Sequence, residues 1–145
     1  MNIGIVGLGH MGVTHLQAYA EIPFARVSAI ASSDPKKRNG DFSSVVSNLD
    51  LVINSVDFSS ITAYGRPLDL FTDPAVDAVD LCVPTYLHAP LSIAALEAGK
   101  HVIVEKPMAL SEDECNAMTQ AAKSTGNTLM VAQVLRFWPE YITAR

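Results

Sequence analysis

Three observations predict an α/β fold, a doubly wound parallel sheet with helices on both faces. Short β-branched runs alternate with helical stretches along most of the chain. Glycine or proline stands at most of the joints. The first apolar run leads straight into a glycine-rich turn and then a helix. Repeated strand–helix–strand order implies right-handed crossovers and therefore parallel strands.

Residues 3–6 form a continuous apolar run ended by glycine, the pattern of a strand buried on both faces. A helix is expected over 11–21, with Met11, His15, Ala18 and Ile22 at helical spacing and Pro23 closing it. The second strand is expected over 26–31, followed by a turn at Ser32-Ser33-Asp34-Pro35. From 38 to 60 the pattern weakens, and 49–53 reads as either a strand or part of an inserted excursion. A short helix at 68–71 precedes Asp73-Pro74. A strand over 78–83 stops at Pro84, and a helix over 90–98 stops at Gly99. Another strand covers 101–104. Ser111 and Glu114 have the form of a capping box for a helix running to about Ser124, with Gly126 beyond it. The last strand is expected over 129–134.

Composition limits the functions available. The 145 residues amount to a single domain's length, and 49% hydrophobic against 17% charged residues describes a globular chain. A net charge of −5 and a pI of about 5.2 argue against a nucleic-acid binder, which needs a basic face to neutralise phosphates. No apolar run approaches the ~18–20 residues of a membrane span, and the N-terminus lacks the basic lead of a signal peptide. Cys82 and Cys115 are too few for a disulfide framework or a zinc site and read as small hydrophobes; a metal is not expected. A reducing, cytoplasmic setting follows as the expectation.

Four clusters carry the chemistry. The first is Gly7-Leu8-Gly9-His10-Met11-Gly12, a G-x-G-x-x-G between strand and helix. Gly7 permits the tight turn, Gly9 lets a pyrophosphate approach the backbone, and Gly12 lets the helix lie close to the strand. The helix's positive end then faces the phosphates. The rivals are a methyl-donor nucleotide site and a glycine turn that serves packing alone. The second cluster lies about 20 residues on, where a dinucleotide site that grips a ribose 2′-hydroxyl carries an acid. Here Ser32 and Ser33 take that place, Asp34 comes late, and Lys36-Lys37-Arg38 follows. Serine does not repel a 2′-phosphate, and a cation such as Lys37 can pair with one, which tilts the expectation between NAD and NADP towards NADP. The plainer reading of the basic triplet is a solvated helix start.

The third cluster is Val83, Pro84, Thr85 and His88, at the carboxyl end of a sheet strand, where ligands bind in open α/β folds. His88 taken alone reads as a structural helix-start residue. The fourth is Glu105-Lys106-Pro107, directly after a strand. A lysine at such an end can be partly buried in the cofactor cleft and can protonate a substrate carbonyl. Pro107 raises a cis peptide after Lys106. An ordinary surface turn is the plainer alternative.

Together these motifs resemble the Gfo/Idh/MocA family of NAD(P)-dependent oxidoreductases. The resemblance rests on the glycine motif with His15, Asp77-Ala78-Val79-Asp80 leading to Pro84-Thr85 and His88, Glu105-Lys106-Pro107-Met108-Ala109-Leu110, and Arg136-Phe137-Trp138-Pro139-Glu140-Tyr141. It covers most of the chain outside 39–60. It implies that Lys106 works at the reacting carbon and that Glu105 and the 84–88 segment border the nicotinamide and its ribose. Ser32 and Ser33 would lie near the adenosine ribose, and His15 would be a helix-packing residue. Family substrates are mostly sugars, cyclitols and related hydroxy or keto compounds.

Two departures accompany the resemblance. Family members normally continue into a substrate-binding domain with an open-faced sheet, which aids assembly into homo-oligomers and supplies a D-x-x-x-H pattern; none follows Lys106 here. The 39–60 stretch also does not look like the usual helix after the second strand. The expected organisation is a dinucleotide-binding Rossmann domain over 1–135, with 136–145 beginning a connection to an absent C-terminal substrate domain. The alternative is a stand-alone dinucleotide-binding module without turnover. The large apolar side chains near Phe137 and Trp138 favour the first, since a free domain has little reason to expose them.

Overall fold

A computed structural model describes residues 1–46 and 56–144. The elements run β1 (Asn2–Val6), α1 (His10–Ala20), β2 (Arg26–Ala31), α2 (Pro35–Arg38), β3 (Thr62–Tyr64), α3 (Pro67–Phe71) and β4 (Ala78–Leu81). They continue α4 (His88–Glu97), β5 (His101–Glu105), α5 (Glu112–Thr125), β6 (Leu129–Ala132) and α6 (Pro139–Thr143). Single 3₁₀ turns precede β3, α4 and α6. All six strands are parallel, in the order β3-β2-β1-β4-β5-β6, the doubly wound Rossmann arrangement. The chain reverses direction across the sheet between β1 and β4, and their carboxyl ends flank the crevice where such folds bind ligands.

Strand periodicity sorts the core into two layers. Val6, Val79, Leu81, Val102 and Val104 point to one face and pack beneath α3, α4 and α5 with Leu70, Phe71, Leu96 and Met118. Ile3, Ile5, Ile30 and Ala78 point to the other and pack under α1 with Val13 and Leu16. The same alternation assigns Asp80 and Glu105 to the α1 face, against the grain of an otherwise apolar layer.

Local signals explain most boundaries. The Ser111 hydroxyl accepts the Glu114 N–H at 3.2 Å, Glu114 returns to accept the Leu110 N–H at 2.9 Å, and α5 ends at Gly126 in the left-handed region. Asp34 caps α2 by accepting from the Lys36 N–H at 2.9 Å, so the basic triplet is indeed a helix start. Some boundaries differ from expectation: β4 stops at Leu81 rather than 83, and α4 begins at His88 rather than 90. The last strand stops at Ala132, because the chain turns into the 3₁₀ turn Val134–Phe137 rather than continuing to 134. The third strand of the sheet is 62–64, three residues between Ile61 and Gly65, too short to show a period in the sequence. The ambiguous 49–53 stretch lies outside the described residues. At the other end of the chain Phe137, Trp138, Tyr141 and Ile142 are all exposed, as anticipated for this segment.

Candidate functional site: a cleft at the switch of the sheet

The glycine turn is shaped by crowding on one side and space on the other. Gly7 has φ +91°, and a β-carbon there would run into the Cys82 carbonyl oxygen of β4's extension. A β-carbon on Gly12 would collide with the Gly7 carbonyl oxygen, so the start of α1 lies directly on the turn. At Gly9 the reverse holds, since an added β-carbon meets nothing within 4 Å among the described residues. Gly9 is also the N-cap of α1, whose first turn has no side-chain cap and no acid to occupy its amides. The His10 Nδ1 beside it is buried without a hydrogen-bond partner among the described residues. Uncapped amides, a glycine facing open space and an unsatisfied buried nitrogen fit an anionic diphosphate at this helix end.

A cleft of about 480 Å³ opens there, across the ends of β1, β2 and β4. Of the sequence-predicted binding residues, Gly7, Leu8, Gly9, Ser32, Ser33, Lys37, Val83 and Pro84 line it. Leu8 offers only backbone, because its side chain is buried in the α1 core layer. Tyr86 and Leu87, from the 84–88 segment, line the cleft too, as do Gly65 and Pro67, which carry no motif that sequence reasoning could have flagged. Asp34 is at the rim with one carboxylate oxygen spent on its helix cap, and the Arg38 guanidinium donates to the Ser32 carbonyl at 2.6 Å.

Other candidates do not line this cleft. His10, Met11 and Gly12 form the first turn of α1 behind the glycine loop, and Thr85 starts the 3₁₀ turn that leads into α4. His88, a candidate cofactor contact that read alone as a structural helix-start residue, begins α4 with its ring 1% exposed and engaged on both sides. Nδ1 lies 2.8 Å from the Pro107 carbonyl oxygen and Nε2 2.9 Å from that of Val83. The ring faces a carbonyl oxygen on each side. It ties the Val83–Pro84 wall to the turn after Lys106. Glu105 is also turned inward: Oε1 is 3.1 Å from His15 Nε2, and Oε2 accepts the Lys106 N–H at 3.0 Å. Lys106 follows at the strand end, exposed rather than partly buried within this chain, and its bond to Pro107 is cis.

His15 is more than a packing residue. Its Nδ1 lies 2.8 Å from Oδ2 of Asp80, a carboxylate with no solvent exposure. Tyr19, one helical turn further along α1, donates its hydroxyl to the same oxygen at 3.0 Å. The Asp80 hydrogen bond raises the His15 pKa above its usual 6.5 against the opposing effect of burial, with Glu105 adding to the rise. Burial, reinforced by the Asp80 charge, pushes the Tyr19 phenol and the Cys82 thiol far above their ordinary ranges, so both stay protonated. The sequence signal for this cluster was available: an aspartate inside a buried strand demands a partner.

A doubly wound sheet with a glycine turn opening into a cleft at its switch point defines a dinucleotide-binding domain. The chain belongs to the Gfo/Idh/MocA oxidoreductase family, whose NAD-binding Rossmann fold matches residues 1–133. It is 34% identical over 148 residues to levoglucosan dehydrogenase of Pseudarthrobacter phenanthrenivorans, covering all of this chain and 36% of that one. A scyllo-inositol dehydrogenase from Lactobacillus casei, solved with NAD(H) and scyllo-inositol, superposes with a TM-score of 0.82 at 26% identity. That match covers 99% of this chain and 39% of the other. A 3-ketoreductase from Actinomadura kijaniata, solved with TDP-benzene and NADP, gives 0.82 at 25% identity over 99% of this chain and 42% of its own. The chain thus spans about two fifths of the length of these relatives. Among the described residues, no helix is long and apolar enough to cross a membrane.

The two glycines separate fold from function. Gly12→Ala is expected to destabilise the chain by about 1–3 kcal/mol in urea melts, because backbone must move. Gly9→Ala should leave stability within about 0.5 kcal/mol yet cut dinucleotide affinity more than about tenfold in calorimetry. Because the His15 pKa is raised on folding, its contribution to stability is complete below 6.5 and lost as pH rises through the folded value. Urea melts across that range should show stability falling with pH, and Asp80→Asn should flatten the slope.

Proposed function

We propose that this chain is the cofactor-holding part of an oxidoreductase that prefers NADP and acts on a sugar, a cyclitol or a related hydroxy or keto compound. In this reading Lys106 is the proton carrier, residues 1–135 are the cofactor domain, and 136–145 lead towards a substrate-binding domain. The observation that carries it is the placement of Glu105-Lys106-Pro107 at the end of β5, two strands from the glycine turn, in a chain of this family. The dehydrogenase and ketoreductase relatives act on compounds of the proposed kind by name.

When bound, the dinucleotide supplies the hydride donor or acceptor at C4 of its nicotinamide. The protein's share of the work is positioning and protons. The amides at the start of α1 hold the diphosphate, and the walls at Val83 and Pro84 restrict where the ring end lies. On oxidation of an alcohol, the hydroxyl proton passes to Lys106 Nζ as the carbinol carbon loses its hydride; on reduction, Lys106 returns a proton to the new alkoxide oxygen. Phosphate preference is supported by the second strand's end. Ser32 and Ser33 put no carboxylate there, Asp34 is engaged with Lys36, and Lys37 is at the cleft wall. NAD and NADP each occur in structures of relatives, so the preference rests on these residues alone.

Two experiments test this. Calorimetric titration of the chain should give tighter binding of NADPH than NADH, and Lys37→Ala should weaken NADPH about tenfold while leaving NADH nearly unchanged. Equal affinities would overturn the preference. In the whole enzyme, Lys106→Ala should lower kcat by at least about 100-fold with cofactor affinity retained. Near-normal turnover would remove Lys106 from the role.

A further inference from the structure

Beneath the cleft, the α1 face of the sheet holds a charged cluster that the binding of a dinucleotide does not require. Strand alternation places Asp80 and Cys82 at the end of β4 and Glu105 at the end of β5 on this face, and His15 and Tyr19 project onto it from successive turns of α1. His15 sits between the two carboxylates, with Nδ1 2.8 Å from Asp80 and Nε2 3.1 Å from Glu105. Carboxylates only accept, and a neutral imidazole has one N–H, so a neutral ring would set one lone pair against a buried negative charge. An imidazolium satisfies both contacts. Asp80 takes its remaining protons from the Tyr19 hydroxyl at 3.0 Å and the Cys82 thiol at 3.5 Å. The second oxygen of Glu105 holds the Lys106 N–H at 3.0 Å. A continuous run of hydrogen bonds therefore leads from the buried middle of the sheet to the backbone of Lys106.

We infer that Asp80, His15 and Glu105 are positioning residues for Lys106. The Asp80-anchored imidazolium pins the Glu105 carboxylate, and that carboxylate fixes the backbone from which the lysine leaves β5. The inference rests on the reading of Lys106 as the proton carrier for its catalytic meaning, but not for its geometry. Loss of the ring proton breaks one of the two bridges and frees Glu105 to turn away from the Lys106 amide. Among the described residues, the titratable groups facing the ring are Asp80, Cys82, Glu105 and Tyr19. Tyr19 and Cys82 stay protonated across the range in which the ring titrates.

The test follows the imidazole nitrogens of His15 and the amide of Lys106 by NMR through a pH titration of the ¹⁵N-labelled, cofactor-free chain. The Lys106 amide should move with the same midpoint as the ring, above 6.5. Asp80→Asn should lower both midpoints together, and Glu105→Gln should leave the ring titrating but uncouple the amide. A histidine that only packs the helix would not move the Lys106 amide. A flat Lys106 amide, or one whose midpoint departs from that of His15, overturns the inference. The wild-type titration decides this even where a variant does not fold. Cofactor and turnover are absent from the experiment, so its failure is separate from failure of the proposed activity, which the Lys106→Ala kinetics report.

Discussion

The structure depends on one close approach, the stacking of α1's first turn, the glycine turn and the end of β4 with no room for a β-carbon between them. The Gly7 carbonyl fills the place of a side chain at Gly12, and the Cys82 carbonyl fills it at Gly7. Backbone-to-backbone packing at this point brings the helix down onto the sheet where the strand order reverses. The uncapped end of α1 then meets the cleft, and its second turn lowers His15 onto Asp80. A residue with a side chain at either glycine would lift the helix and separate both arrangements together.

The ends of β4 and β5 consequently work on two sides. Towards the cleft the extension of β4 presents Val83 and Pro84. On the α1 face the two strand ends carry two carboxylates that both meet the ring of His15. His88, from the start of α4, laces the same strand ends together through the carbonyls of Val83 and Pro107. The wall of the cleft is thus held by buried polar contacts rather than by hydrophobic packing alone, and such contacts are directional, so they fix orientation as well as proximity.

Much of the fold was legible because its signals are local. The glycine motif, the Ser111–Glu114 box, Gly99 and Gly126 each act within a few residues, and the structure uses them where the sequence places them. β3 was not legible, since three residues carry no period, and the end of β6 was overrun because the apolar residues past Ala132 coil into a turn. Within the site, the residues whose backbone shapes the cleft were readable from the motif, whereas those that meet only across the sheet were not. His15 and Asp80 stand 65 positions apart, and no spacing rule joins them. The one available clue was physical: a carboxylate in the middle of a buried strand, which has to be answered by a cation or a donor.

At the far end of the sheet from the cleft, Lys100 is 8% exposed and spends its ammonium on the carbonyls of Asp73 and Val76, at 2.7 and 2.8 Å. It fastens the turn before β4 to the turn before β5, the two strands whose other ends carry the site. Lysines of opposite accessibility thus sit at the two ends of β5. A water-soluble acylating reagent would mark Lys106 while the native sheet stands and reach Lys100 only when that sheet opens, so the pair forms an internal gauge of folding in this one strand.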